Sequence, residues 1–225
     1  MNASTPIASS KTAALSRVLD LVPRGYQRYT AGVVAPEKAR RLARKFHDKY
    51  GIGSTPAQRI TRKKHGYANA ALVMYWPKDA EKVEWLLLAT NGSGLERELL
   101  KDVTSKRRLS WLGYQLVRRS YRGRIAWTWK LPKQTMVEFY ATLHTLLDRR
   151  NYAGVAQLLA LVSRYPGFHG VRQQVSAFYT VAKSRGYGEP LPKLLYLRKV
   201  SHGERLGLGD TQVPLDGECS RREPR

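Results

Sequence analysis

The sequence predicts an α+β fold, in which an antiparallel four-stranded sheet carries helices on one face and a helical lobe follows. Three patterns support this prediction: one amphipathic helix, two pairs of strand-like segments joined by a helix, and a final run of amphipathic helices. Two hairpins joined by a helix most simply form one antiparallel sheet with helices on one face. Hydrophobic residues make up 42% of the 225 residues, so the chain can bury a core.

Two helices are predicted in the first quarter of the chain. Ser9 or Ser10 can cap a short helix that runs to Val22. Pro36 suits the first turn of the segment "PEKARRLARKFHDKY", and Gly51 can end it. Apolar residues recur there at spacings of three and four, which predicts one buried stripe. These residues are Ala39, Leu42, Phe46 and Tyr50.

The middle of the chain predicts the four strands. The segments "ANAALVMYW" and "KVEWLLLAT" are apolar nearly throughout, which is typical of interior strands. After them, "GLERELLKDV" is predicted as a short helix. The segment "RLSWLGYQLVRRSY" predicts one long strand, Arg122 and Gly123 a two-residue turn, and "IAWTWKL" the returning strand. The segment "GIGSTPAQ" is predicted as a loop, and the basic residues at 59–64 are predicted as loop residues or as the first residues of the strand that follows.

Beyond Pro132 the pattern becomes helical. The segments "KQTMVEFYATLHTLLDRR", "NYAGVAQLLALVSRY" and "VRQQVSAFYTVAKSRGY" predict three amphipathic helices. The sequence therefore predicts four parts. These are an N-terminal segment with one short helix (1–35), a basic α+β sheet domain (36–132), a helical lobe (133–187) and an extended, largely disordered basic tail (188–225).

The charge of the chain indicates an anionic partner. Forty Lys and Arg against seventeen Asp and Glu give a net charge of +23, whereas an ordinary small domain carries roughly 2–8 charges of either sign. Residues 38–64 and 101–133 each hold ten cations and one acid. Nucleic acid is the commonest partner for such a chain, and DNA is the form we expect. An anionic membrane surface is the alternative partner.

Three groups of cations are the candidate binding residues. One stripe lies beside the apolar stripe of the helix 36–50, a second group precedes the first strand, and a third surrounds a hairpin tip. We expect them to form a composite nucleic-acid-binding surface, although each group could also be only a solvated face. The residues are Lys38, Arg41, Lys45, Lys49, Arg59, Arg62, Lys63, Lys64, Arg118, Arg119, Arg122 and Arg124.

The motif search predicts no catalytic residue, no metal site and no cofactor. The sequence has no P-loop, no C-x-x-C and no H-E-x-x-H, and its five histidines lack a close ligand spacing. "TNGSG" at 90–94 could hold a phosphate, but a tight turn is the favoured interpretation. Trp85, Trp127 and Trp129 are expected in the core rather than as stacking platforms for bases.

The cysteine content and the distribution of apolar residues indicate the compartment. Cys219 is the only cysteine, so no intrachain disulfide can form, which fits a reducing cytoplasm. The sequence has no long apolar run and no basic-then-apolar start, so we expect neither a membrane span nor a signal peptide.

A resemblance adds a biological setting. The segments "RITRKKHGYANAALVMYW", "EWLLLATNG", "GYQLVRR" and "WTWKL", within 59–131, resemble fertility-inhibition proteins of broad-host-range conjugative plasmids. The resemblance implies a non-catalytic plasmid protein of the bacterial cytoplasm. Such a protein inhibits conjugal transfer of a co-resident plasmid by binding its DNA or a transfer protein such as the coupling protein. A nucleic-acid-binding accessory protein in plasmid replication or maintenance is the first alternative, and a nuclease acting on transferred DNA is the second.

Overall fold

Two β-sheets and six α-helices make up the described part of the fold. The computed structural model describes residues 4–121, 123–194 and 204–208. The helices are Lys11–Leu21 (α1), Pro36–Tyr50 (α2), Pro56–Lys64 (α3), Lys133–Asp148 (α4), Tyr152–Ser163 (α5) and His169–Ser184 (α6). The strands are Ser4–Ala8 (β1), Arg28–Val34 (β2), Ala70–Tyr75 (β3), Val83–Ala89 (β4), Lys101–Asp102 (β5), Ser110–Trp111 (β6), Tyr114–Tyr121 (β7), Arg124–Lys130 (β8) and Arg205–Gly207 (β9).

The larger sheet has six strands in the order β5-β2-β4-β3-β1-β9 and is mixed. The strand β1 runs parallel to β3, and the other neighbours are antiparallel. The α+β class is therefore confirmed, but the predicted four-stranded antiparallel sheet is wrong. The strands β1 and β2 were not predicted from the sequence. Gly32 of β2 faces Trp85 of β4, and a Cβ at Gly32 would lie 2.6 Å from the indole.

The second predicted hairpin forms a separate sheet in the order β6-β7-β8. The turn between β7 and β8 falls where it was predicted. The single long strand predicted before that turn is instead two strands, because a two-residue turn at Leu112 and Gly113 separates β6 from β7. Both turn residues have positive φ, 52° and 84°, as a type I′ turn requires. Leucine is an uncommon residue at such a position, so the sequence carries only a weak signal for this turn.

The helix predicted between the two hairpins does not form. In its place the chain makes turns and then β5, which pairs with β2. The acidic side chains of this segment make one local and one long-range bond: the Gly94 N–H donates to Glu96 Oε1 at 2.6 Å, and the Tyr50 hydroxyl donates to Glu98 Oε1 at 2.7 Å. Burial, together with the hydrogen bond to Glu98, raises the pKa of Tyr50 to about 12. The bond to Glu98 ties the turns to the end of α2.

Helices cover both faces of the six-stranded sheet, whereas one face was predicted. Leu86 and Leu88 pack in a core with α1, the three-stranded sheet and α4–α6. Leu87 points the other way and packs in a second core with α2. Successive strand side chains alternate between faces, and all three leucines are 0% exposed. Burial on both faces explains why β3 and β4 are almost continuously apolar.

The terminal helices form at the predicted places. Ser10 caps α1 by accepting a 3.2 Å hydrogen bond from the Ala13 N–H. The helices α4, α5 and α6 form the predicted lobe and share one core with α1. The strand β9 pairs antiparallel with β1, and the predicted disorder of the tail falls mainly on residues 195–203 and 209–225, outside the described residues. The division of the chain at 35, 132 and 187 stays a prediction.

Candidate nucleic-acid interface

The helix α2 presents one predicted cationic stripe to solvent on a rigid base. Pro36 begins the helix and Gly51, with φ 63°, ends it as predicted. Its apolar side lies in the second core, and Phe46 contacts Trp85 edge to face with ring centroids 5.4 Å apart. This burial sets the rotation of the helix about its axis. The exposed cations of the stripe are Lys38, Arg41, Lys45 and Lys49.

The basic block at 59–64 belongs to the helix α3 and not to a loop or a strand. Thr55 and Gln58 form a capping box, in which the Gln58 N–H donates to Thr55 Oγ1 at 3.3 Å and the Thr55 N–H to Gln58 Oε1 at 2.8 Å. Pro56 occupies the first helical position. The pattern T-x-x-Q with proline after the cap is a known helix start. This signal was present in the sequence and could have revealed the helix.

The helix α3 divides its cations between solvent and the protein. Lys63 and Lys64 are exposed, whereas Arg59 and Arg62 are half-buried. The Arg62 Nη2 donates to the Ala68 carbonyl at 3.1 Å, and its guanidinium lies 5.8 Å from the centre of the Tyr67 ring. Arg62 therefore anchors α3 to the segment that leads into β3, in addition to any role in binding.

The charge of Arg59 acts on Arg17 of α1. Burial lowers the pKa of Arg17 on α1, Asp20 raises it, and the charge of Arg59 lowers it again, as Arg24 and Arg205 also do. The Arg59 carbonyl accepts a 3.1 Å bond from the Asn69 side chain. Arg59 therefore contributes positive potential to the α1 side of the molecule.

The hairpin of β7 and β8 places its arginines on two faces. Arg118 is exposed and pairs in register with Trp127, so both side chains lie on one face. Arg119 is the next residue along β7; it therefore points to the other face and is half-buried. Arg122 lies outside the described residues, as does the side chain of Arg124. The structure thus supports an exposed position for Arg118 only.

Arg119 belongs to a cluster at the start of α6. Its Nη1 donates to His169 Nε2 at 3.1 Å. A guanidinium can only donate, so Nε2 accepts and this bond requires a neutral imidazole. Burial lowers the pKa of His169, as do the charges of Arg119 and Arg172; Gln173 opposes this shift and Lys130 adds weakly to it. The cluster therefore holds a neutral histidine among three cations.

The structure separates the predicted composite surface into two parts. The helix α2 lies on one face of the six-stranded sheet, and the three-stranded sheet shares the core on the other face. The cations of α2 and the exposed Arg118 of the hairpin therefore belong to elements on opposite faces of the six-stranded sheet. Whether each group binds nucleic acid stays a prediction.

The structure also contains a concave, cation-lined surface that was not predicted as a site. Its cations were noted in the sequence only as part of the basic segment 101–133. Two neighbouring cavities share Arg108: one also contains Lys101 and Arg107, and the other contains Lys130 and Lys133. All five lie in the basic segment 101–133. Glutamines of α6 complete the second cavity. Only the folded chain brings α6 to these residues, so the sequence offered no signal for that wall.

The three tryptophans that were predicted to lie in the core are buried to different degrees. Trp129 is 0% exposed, as expected. Trp85 and Trp127 are half-buried, and each packs at the margin of a core. The neighbouring Ile125, which lies on the same face of β8 as Trp127, is 58% exposed. Ile125 therefore lies beyond the core and is exposed to solvent.

Neither a metal site nor a membrane-spanning helix is present in the described part of the chain. Over residues 4–121, 123–194 and 204–208, no group of three or more histidine, cysteine or acidic side chains is arranged to hold a metal ion. Within the same ranges, no helix combines the length and apolarity needed to cross a membrane. No protein-family model, no curated protein and no solved structure matches this chain.

Proposed function

We propose that this protein binds nucleic acid through exposed cations held on a rigid α+β scaffold. The observation that carries the proposal is the exposed cationic stripe of α2, which lies beside the buried apolar stripe of the same helix. The four stripe residues span eleven positions, which is roughly 16 Å at 1.5 Å per residue. Over that length duplex DNA carries roughly ten phosphates at one per 1.7 Å. The stripe can therefore contact several phosphates at once without reading bases.

The setting we propose is inhibition of conjugal transfer in the bacterial cytoplasm. The likeness of residues 59–131 to fertility-inhibition proteins supports this setting. The protein would bind the DNA of a co-resident plasmid, or a transfer protein such as the coupling protein, and would perform no reaction itself. An accessory role in plasmid replication or maintenance uses the same surface and differs only in the process affected.

Salt-dependent binding tests the DNA contact. A variant with Lys38, Arg41, Lys45 and Lys49 all changed to alanine should bind a 20-base-pair duplex more weakly in an anisotropy titration. Each lost phosphate contact should reduce the slope of log K against log salt by about 0.9. The double change Lys78→Ala/Lys82→Ala removes two exposed cations between β3 and β4; compared per charge removed, it is the control for charge lost away from α2. Equal losses per charge in the two variants, or wild-type binding that ignores salt, would contradict the proposal.

A conjugation assay tests the setting. Donor cells that carry this gene should transfer a co-resident conjugative plasmid less often than donors without it. If DNA is the target, the α2 variant should lose inhibition together with DNA binding; if it keeps inhibition, a transfer protein is the target. Unchanged transfer with the wild-type gene would exclude the fertility-inhibition setting and favour the replication or maintenance role.

A further inference from the structure

A concave site lies between the three-stranded sheet and the helical lobe, and none of its lining residues is among the predicted binding residues. It is a cavity of about 400 Å³, within the roughly 300–1,000 Å³ of ordinary ligand sites. Its walls come from the end of β8, the first turn of α4 and the middle of α6. Its polar lining residues include Arg108, Gln115, Lys130, Lys133, Tyr140 and Gln173.

The charge of this cavity favours an anion. Arg108, Lys130 and Lys133 line it, and no carboxylate stands among the described lining residues. Lys133 is the first residue of α4, and the first turn of that helix contains no acid. A cation at a helix N-terminus opposes the helix dipole, so Lys133 does not stabilise its own helix. Its position is more readily explained by a negatively charged ligand in the cavity.

The other lining groups fit a planar ring with polar edges. Gln174 is held in place by two bonds to the Leu131 backbone: its Oε1 accepts from the N–H at 2.9 Å and its Nε2 donates to the carbonyl at 3.0 Å. Tyr140 is oriented by Phe178, with ring centroids 5.1 Å apart at 61°. The amides of Gln115 and Gln173 can donate and accept. Phosphate-binding cations beside an aromatic ring and two amides match the parts of a nucleotide.

A neighbouring cavity places further cations beside Arg108. It has a volume of about 380 Å³ and contains Lys101, Arg107 and Arg108 beside Tyr29. Because Arg108 lines both cavities, an anion held in one is adjacent to an anion held in the other. A ligand with several linked phosphates can occupy both places, whereas a mononucleotide can occupy one.

We propose that the larger cavity binds one nucleotide unit of a single-stranded nucleic acid. The ring lies against Tyr140 and Met136, the phosphates contact Arg108, Lys130 and Lys133, and the strand continues towards Lys101 and Arg107. The proposal rests on the proposed function, because it assumes that nucleic acid is the partner. It adds that this site selects single strands, since a base paired within a duplex cannot enter a cavity without being unstacked.

The test compares single-stranded and duplex binding in the full chain. The variants Arg108→Ala/Lys133→Ala and Tyr140→Ala should bind a 20-nucleotide thymidine oligonucleotide roughly tenfold or more weakly, because stacking and phosphate contacts are lost. Their affinity for a 20-base-pair duplex should stay within about twofold. Tyr140→Phe keeps the ring and should bind as the wild type does. Lys78→Ala/Lys82→Ala is the charge-matched control.

The remaining outcomes separate this inference from the proposed function. If the wild type binds duplex but the cavity variants bind the oligonucleotide normally, the inference alone is wrong. If the wild type binds neither nucleic acid, the proposed function fails as well. Thymidine monophosphate should compete for the cavity weakly and inorganic phosphate more weakly still. Equal competition by phosphate would overturn the role of the ring. Binding of the monophosphate without any binding of the oligonucleotide would overturn the assignment to a strand.

Discussion

The indole Nε1 of Trp129 donates a 2.9 Å hydrogen bond to the backbone carbonyl of Leu15, which lies 114 positions earlier in the chain. Both residues are 0% exposed. Through this bond the strand β8 is joined to the helix α1, and a helix from the N-terminal segment becomes part of the same core as the C-terminal lobe.

The first prediction follows from this contact. Trp129→Ala should destabilise the protein by about 3–5 kcal/mol, because it leaves a large cavity. Trp129→Phe should cost about 1–3 kcal/mol, since the Leu15 carbonyl loses its buried partner. Trp127→Ala, at a half-buried position on the same strand, should cost clearly less than Trp129→Ala. Denaturant unfolding measures all three. Equal losses for the two alanine variants would place both tryptophans in the core to the same degree.

Replacing Gly170 with alanine should destabilise the protein, although the same change usually stabilises a helix. Alanine normally stabilises a helix by roughly 1 kcal/mol relative to glycine. At Gly170 a Cβ would lie 2.5 Å from the Trp129 carbonyl oxygen, and backbone cannot move aside easily. Gly170→Ala should therefore destabilise the protein by about 1–3 kcal/mol. Ser176→Ala, on the exposed side of the same helix, should change stability by less than about 0.5 kcal/mol. A more stable Gly170→Ala protein would contradict the close packing of α6 on β8.

His169 should make stability depend on pH in the acidic range. Burial and the charges of Arg119 and Arg172 lower its pKa in the folded protein below the ordinary value of 6.5. Below pH 6.5 the imidazole of His169 therefore binds a proton more readily in the unfolded chain than in the folded chain. The stabilising contribution is complete above pH 6.5 and is lost as pH falls towards the folded pKa.

The variant His169→Gln isolates this effect from those of the other histidines. Wild type and variant should be unfolded with guanidinium at pH 8 and at pH 5.5. The wild type should lose more stability between the two values than the variant does. A larger loss in the variant would mean that the folded-state pKa of His169 is raised, contrary to the structure.

Thr55 should control the order of α3 more than the stability of the whole protein. Thr55→Ala removes one half of the capping box and should destabilise that helix by about 1 kcal/mol. Because α3 buries no residue fully, the loss should appear as faster amide hydrogen exchange in residues 57–61, with a nearly unchanged melting temperature. Thr55→Ser keeps the hydroxyl and should exchange as the wild type does. Unchanged exchange in Thr55→Ala would show that the tertiary bond of Arg62 is sufficient to hold α3.

Local signals in the sequence were strong enough to predict several helices correctly. Proline at the first position, glycine at the end and a regular apolar stripe defined α2, and the same periodicity defined the three helices of the lobe. The start signal of α3 was equally local, in Thr55 and Gln58, but the basic block after it was interpreted as loop or strand residues. The turn at Leu112 and Gly113 lacked the usual Asn-Gly signal, so β6 and β7 were predicted as one strand.

The sequence by itself determined the α+β class, the positions of most helices and central strands, and the excess of cations with its two dense blocks. These depend on spacing and composition along short segments, which a reader of the sequence can see. The tertiary structure alone decided that β1 joins β3 in parallel, that the second hairpin forms its own sheet, and that α6 closes a cavity beside Lys130 and Lys133. Such pairings depend on which faces bury each other across tens of positions, 67 between Thr5 and Leu72 and 43 between Leu131 and Gln174, and no short segment contains that information.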